Sequence, residues 1–358
     1  MSIGDIAGLL QTQIQALAAS DMQALVDTQI AAFTTTQMGY FATTQMAALS
    51  ATQAADITTA DLQMLASTQL AGFNATVIAG LTTSQIAALL DAQVSGLSTA
   101  QVAGLTSTEI ATLSPTQITD LSTAQFGALK TSALAGLNAT DIAGIATTQL
   151  AGLTSAQITA LGASEIVFLT TTQVPTLSAA QIAGLTTGQI AALTSGEFGA
   201  LSSTQLGELN TAQTGGLTIT EVAALTTTQL PGLTTKQIGG LSTAQLDNLS
   251  TTSIGGLSAA QESALTSAQL GALTVTQFGA LTTAELSALS TAQAAGITSA
   301  ELSQLGATVG LQALSATQLG ALKTAALAGL STTDVAAITT TQLAGLTSAQ
   351  IGALSTGQ

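Results

Sequence analysis

LSTAQVAGL, residues 97–105, carries the pattern that decides the fold class of this chain. Leu97 and Val102 bracket a quartet that opens on Ser98 and closes on Gln101. A serine at a helix N-cap accepts a hydrogen bond from the backbone N–H three residues on. A glutamine at that third position accepts one in return from the N–H of the cap. The apolar residue before the cap then packs against the one that follows the glutamine, forming a hydrophobic staple. The stretch therefore predicts a helix start. Leu105 closes the unit eight residues after Leu97, and Thr106 opens the next.

Steps of eight from Leu9 meet Leu, Ile or Phe at thirty-eight consecutive positions, the last being Leu305. The segment GATVGLQAL, residues 306–314, inserts one residue, and the series resumes from Leu314 to Leu354. The unit reads Ser/Thr-x-x-Gln/Glu/Asp-apolar-x-Ala/Gly-Leu. Val77, Ala133 and Ser253 depart from it at the fourth position. A longer segment from Phe126 resembles one from Leu319, as copying of a block of units would produce. Such a period is the mark of a repeat architecture. We expect octads over 1–305, a one-residue irregularity at 306–314, and the same array continuing over 315–358.

An uninterrupted helix does not fit this period. Eight residues rotate an α-helix by about 800°, so successive leucines would drift by about 80° and no apolar stripe would form. Pro175 and Pro231, just after the fifth position of their units, also oppose it and push Val174 and Leu230 away from helical geometry. One short helix per octad fits better, with some turns 3₁₀-like. Pro115 follows Ser114 at the first helical position, where proline is favoured. Eleven of the 18 acidic residues occupy the fourth position of a unit, next to the positive end of the helix dipole. The glycines, mostly at the ends of units, read as helix stops. A helix this short is unstable alone, so the octads must coil and stack. The expected fold is all-α, a solenoid of about one-turn helices. The alternative is a β-solenoid, favoured by the abundant Thr. It places the two apolar positions, three and five residues apart, on opposite faces of a strand.

Composition narrows the function. There is no His or Cys, which removes Ser–His and Cys–His nucleophiles and the usual zinc ligands. The acids are spread singly through equivalent slots and read as caps, so no catalytic, cofactor-binding or metal-ligating residue is assigned and no enzyme is expected. Acids from neighbouring coils could form weak calcium sites, the one cofactor left open. The net charge of −15, with Lys130, Lys236 and Lys323 the only cations, disfavours nucleic acid and anionic lipid. No apolar run is long enough to span a membrane, and the N-terminal stretch lacks the positive segment of a secretory signal.

Units such as LTTSQIAAL from Leu81 and LSAAQIAGL from Leu177 resemble octapeptide arrays of large bacterial proteins often labelled haem-utilisation or adhesion-type. The resemblance covers nearly the whole chain. It implies a surface or secreted bacterial protein without an N-terminal signal, the cytoplasm being the alternative. The haem label has no residue support beyond Tyr40 and five Met. LTSAQIGALSTGQ, residues 346–358, is an ordinary octad followed by half of another. Solenoids normally carry polar capping repeats, and an uncapped edge predicts head-to-tail stacking into a filament, layer or stalk. Ranks of Thr that bind ice, water or glycans are the alternative.

Overall fold

The computed structural model describes residues 3–306 and 310–358. Every regular element among them is a short helix of three to six residues, and none is a strand. The chain is an all-α solenoid with about one helical turn per octad. It divides into two compact units, Met1–Leu185 and Thr186–Gln358.

In the octad 98–105, Ser98 is extended at φ −70° and ψ 159°, and the helix Thr99–Val102 follows. The Gln101 N–H donates to Ser98 Oγ over 3.3 Å, and the Ser98 N–H donates to Gln101 Oε1 over 2.8 Å. Both halves of the expected box are present. The Val102 N–H closes the turn on the Ser98 carbonyl, and the Leu105 N–H bonds the Val102 carbonyl. Ser98, Thr99 and Ala100 are exposed, whereas Gln101, Val102 and Leu105 are buried. Where the cap is Ala66 or Leu90 it has no hydroxyl to accept with, and only the glutamine half of the box remains.

Departures from the unit change the helix type. Pro175 and Pro231 lie in the 3₁₀ turns Val174–Thr176 and Leu230–Gly232. The residue at their position normally donates to the carbonyl four back, as Ala103 does to Thr99. Proline has no N–H to give. That bond is lost, the Gly232 N–H keeps its bond to the Gln229 carbonyl as Gly104 does to Gln101, and Val174 and Leu230 stay helical, contrary to expectation. Ala133 and Ala326 replace the box residue in the 3₁₀ helices Thr131–Gly136 and Thr324–Gly329, which have no side-chain cap. Pro115 sits at the start of its helix as expected.

Each octad contributes two side chains to a narrow aliphatic core, at about 1.5–3 kcal/mol for each one fully buried. Within the first unit, helix Thr99–Val102 packs on helix Thr123–Ala128, three octads further along the chain. Gln101 also reaches Leu70 and Phe73, 31 and 28 residues back. Each octad thus rests on both the third and the fourth before it. Within the second unit, helix Thr235–Gly240 packs on helix Ala259–Ser263, and Gln261 reaches Leu230 and Leu233 at the same separations. In each unit a coil takes 28 residues, or 28/8 = 3.5 octads.

The inserted residue is absorbed locally. Gly306 turns at φ +65°, the only positive φ among the described residues. The Gly310 N–H donates to the Leu305 carbonyl five residues back, a π-type turn. Gln318 then bonds Leu286 and Leu289, at 32 and 29 residues, and Gln342 restores 31 and 28. Ala307, Thr308 and Val309, within the expected irregularity, lie outside the described residues.

The glycines do not act as left-handed helix stops. Octads leave the helix through an extended closing residue, as at Leu121 with φ −65° and ψ 132°. Glycine serves close approach of coil to coil. A Cβ on Gly136 would run into the Ser107 carbonyl oxygen and stand 2.9 Å from the Ile110 Cβ, both on the preceding coil. Gly136→Ala should therefore lower the urea midpoint, costing about 1–3 kcal/mol. A Cβ on Gly199 would have nothing within 4 Å, and Gly199→Ala should raise the midpoint, stabilising the fold by up to about 1 kcal/mol.

Candidate functional site

The fourth position of the octad carries the densest polar chemistry. The Gln101 side chain is 1% exposed. Its oxygen accepts from its own cap, and its Nε2 donates to the carbonyls of Leu70 at 2.6 Å and Phe73 at 2.7 Å. Gln93, Gln181, Gln237 and Gln350 repeat the pattern on their own coils. One carboxamide thus completes a helix cap and ties that helix to the coil before it. An amide is suited to this because it presents an acceptor and two donors on one planar group.

Acids in the same slot do only half of this. Glu109 accepts from the Thr106 N–H and hydroxyl, at 2.6 and 2.8 Å, and Asp334 accepts from the Ser331 N–H at 2.7 Å. Their capping role is as expected. A carboxylate has no donor for the coil behind, however. Asp141 Oδ1, Glu221 Oε1 and Glu301 Oε1 are buried without a hydrogen-bond partner. Burial pushes the Glu221 and Glu301 carboxyls above the ordinary value of 4.5, against the lowering effect of bonds from Thr218 and Thr298.

The octads that lack the box show how narrowly the slot is specified. Asn74 caps the Thr76 and Val77 N–H groups in place of a box. Ser253 is a shortened substitute for glutamine: it accepts from Ser250 Oγ at 2.8 Å and donates to the Leu225 carbonyl, 28 residues back, at 3.4 Å.

Many of the hydroxyls are spent inside the array. Cap threonines such as Thr154 donate to the box oxygen. Thr43 and Thr123, one position later, donate to the carbonyls of Thr68 and Thr148 on the next coil, both at 3.0 Å. Met22, Met38 and Met46 fill core slots, and Met64 is exposed. The hollow beside Tyr40 is open and lined by ordinary octad residues including Thr43 and Thr68. Among the described residues no three His, Cys, Asp or Glu side chains converge to hold a metal ion. No helix among them is long and apolar enough to cross a membrane.

Sequence reading missed one acid, Glu262. It stands at the fifth position of its octad, a slot otherwise filled by residues such as Ile254 and Leu270, and is 4% exposed. The octad register alone marks it as out of place. Thr214 occupies the same slot and meets its need locally, donating to the Asn210 carbonyl at 3.0 Å.

A repeat family described as the ALTTAQ repeat matches three segments of the chain, residues 164–195, 220–251 and 327–358. Each match spans four octads. No curated protein matches the chain. The chain is thus a repeat-based structural module, similar to ALTTAQ repeats in these segments.

Gln101→Met keeps the bulk and removes the polar bonds. We expect it to destabilise the array by about 2–4 kcal/mol in urea titrations. Glu221→Gln should stabilise it, by about 1–2 kcal/mol at pH 7. A carboxyl raised in the fold contributes stability below its unfolded value of 4.5 and loses it as pH climbs through the folded value. The gain from glutamine should therefore be larger at pH 7 than at pH 4.

Proposed function

We propose that the chain is a non-enzymatic structural solenoid that stacks head to tail with copies of itself. The assembly would be a filament, layer or adhesin stalk at a bacterial surface. The supporting observation is the repetition of one coil-to-coil contact, which Gln101, Gln261 and Gln350 each make on the coil before. Leu343 and Ile351 occupy the fifth position of their octads, where Val102, Ile238 and Leu246 are fully buried, yet they are 50% and 49% exposed. Their carbonyls and that of Leu346 hold the positions that receive a glutamine from the next coil in the interior, as Leu70 and Phe73 do from Gln101.

Gln13, in the first coil, accepts from the Leu10 N–H with its Oε1, the same half of the box that interior glutamines form before donating backward. Wherever the fourth residue is glutamine, coil-to-coil bonding follows one rule, so a coil of a second copy meets the same kinds of donors, acceptors and apolar slots as a coil of the same chain. A heterologous contact of this kind propagates as an open assembly. The net charge of −15 supports solubility of the sides. The consumption of cap hydroxyls within the array leaves the Thr-face reading without a supporting observation.

Electron microscopy and sedimentation of the purified chain over a concentration series test this reading. Rods that lengthen with concentration are expected. Leu343→Lys combined with Ile351→Lys should keep particles dispersed without changing the circular dichroism spectrum. Dispersed monomers of the unaltered chain at every concentration would overturn the proposal.

A further inference from the structure

Glu262 belongs to helix Ala259–Ser263, which packs against helix Thr283–Ala288 on the next coil. Glu285 is the box residue of that second helix and accepts a bond from the Thr282 N–H. The two residues meet at the junction of the two coils. They line one small cavity with Ser263, Leu289 and Gln293. Two carboxylates in contact cannot both be ionised without strong repulsion.

The surroundings decide which of the two is neutral. Glu262 is almost wholly buried, and its Oε1 has no hydrogen-bond partner. Nothing there compensates a negative charge. Glu285 is only partly buried and accepts from the Thr282 N–H. The elements packed on helix Ala259–Ser263 carry two charged residues, Lys236 on Thr235–Gly240 and Glu285 on Thr283–Ala288. Lys236 is exposed. The bonds that Gln261 and Gln293 make at this junction are to backbone carbonyls and involve no further ionisable group.

We propose that Glu262 and Glu285 form a proton-binding site between successive coils, an acid–carboxylate pair that clasps the junction while it holds one proton and loosens it when the proton is lost. Glu262 donates its proton to Glu285, and loss of that proton to solvent leaves two facing carboxylates. Burial first, then the charge of Glu285 and the bond to it, push Glu262 from 4.5 up to about 8. The folded chain therefore binds a proton that the unfolded chain releases between those values. The stability it contributes is fully present below pH 4.5 and declines as pH rises to about 8. This makes the solenoid pH-sensitive at one named level.

The test is the urea midpoint of the whole chain from about pH 4 to about pH 9, compared with Glu262→Leu, Glu262→Gln and Glu285→Gln. Glu262→Leu restores the apolar slot and should remove a component of the midpoint's fall between pH 5 and 8, with its largest gain at the alkaline end. Glu285→Gln should move that component to lower pH. Difference infrared spectroscopy at pH 7 should show a protonated carboxyl band that both Glu262 variants lose. Parallel pH profiles for the unaltered chain and Glu262→Leu would overturn the proposal. So would the absence, at pH 7, of any protonated carboxyl component that the Glu262 substitutions remove.

Discussion

The carboxamide of the fourth octad residue is the interaction on which the array depends. Its oxygen completes a capping box within its own octad, and its nitrogen satisfies carbonyls of the coil before, as Gln101 does at Leu70 and Phe73. One-turn helices have almost no stability alone, and a coil that buries backbone carbonyls must satisfy them. A single side-chain type meets both needs. This explains why a chain with so few charged residues keeps glutamine in slots that are nearly inaccessible to water. A buried glutamine that uses its acceptor and both donors is inexpensive to bury, whereas a glutamate in the same place lacks the donor and leaves an oxygen unmatched.

The small residues follow from the same constraint. For the carboxamide to reach the previous coil, backbones must approach closely, and a Cβ is excluded at positions such as Gly136. The core between coils is then too narrow for many rings. The large fully buried side chains are aliphatic, Met, or one of a few Phe such as Phe126 and Phe198. Close approach, a slender core and a polar ladder at coil spacing are three aspects of one geometry. Repetition of that geometry is also what makes one edge of a coil fit the opposite edge of another.

Much of this was legible in residues that act locally. Ser98 and Gln101 lie three apart, and their mutual bonds depend on nothing beyond the octad. Cap, staple, helix length and the 3₁₀ turns at Pro175 and Pro231 could all be read without neighbours. The backward reach of Gln101 to Leu70 and Phe73 could not, because no local feature encodes how many octads make a coil. The glycines were misread for the same reason. Next to a helix end a glycine suggests a left-handed stop, and only the approach of Ser107 reveals why Gly136 lacks a side chain. Glu262 was legible as a break in register, but its meaning required Glu285, which is distant in the chain and lines the same cavity only once the coil closes.

Coil closure is the claim most directly open to measurement. The chain has no cysteine, so Thr123→Cys and Thr148→Cys can carry a pair of nitroxide labels on exposed positions. Thr123 Oγ1 and the Thr148 carbonyl are 3.0 Å apart on adjoining coils. Double electron–electron resonance should give one narrow distribution at short distance, with the labels side by side. A continuous helix would separate the same two positions by about 37 Å. A distribution centred there, or a broad one without a short component, would contradict the account.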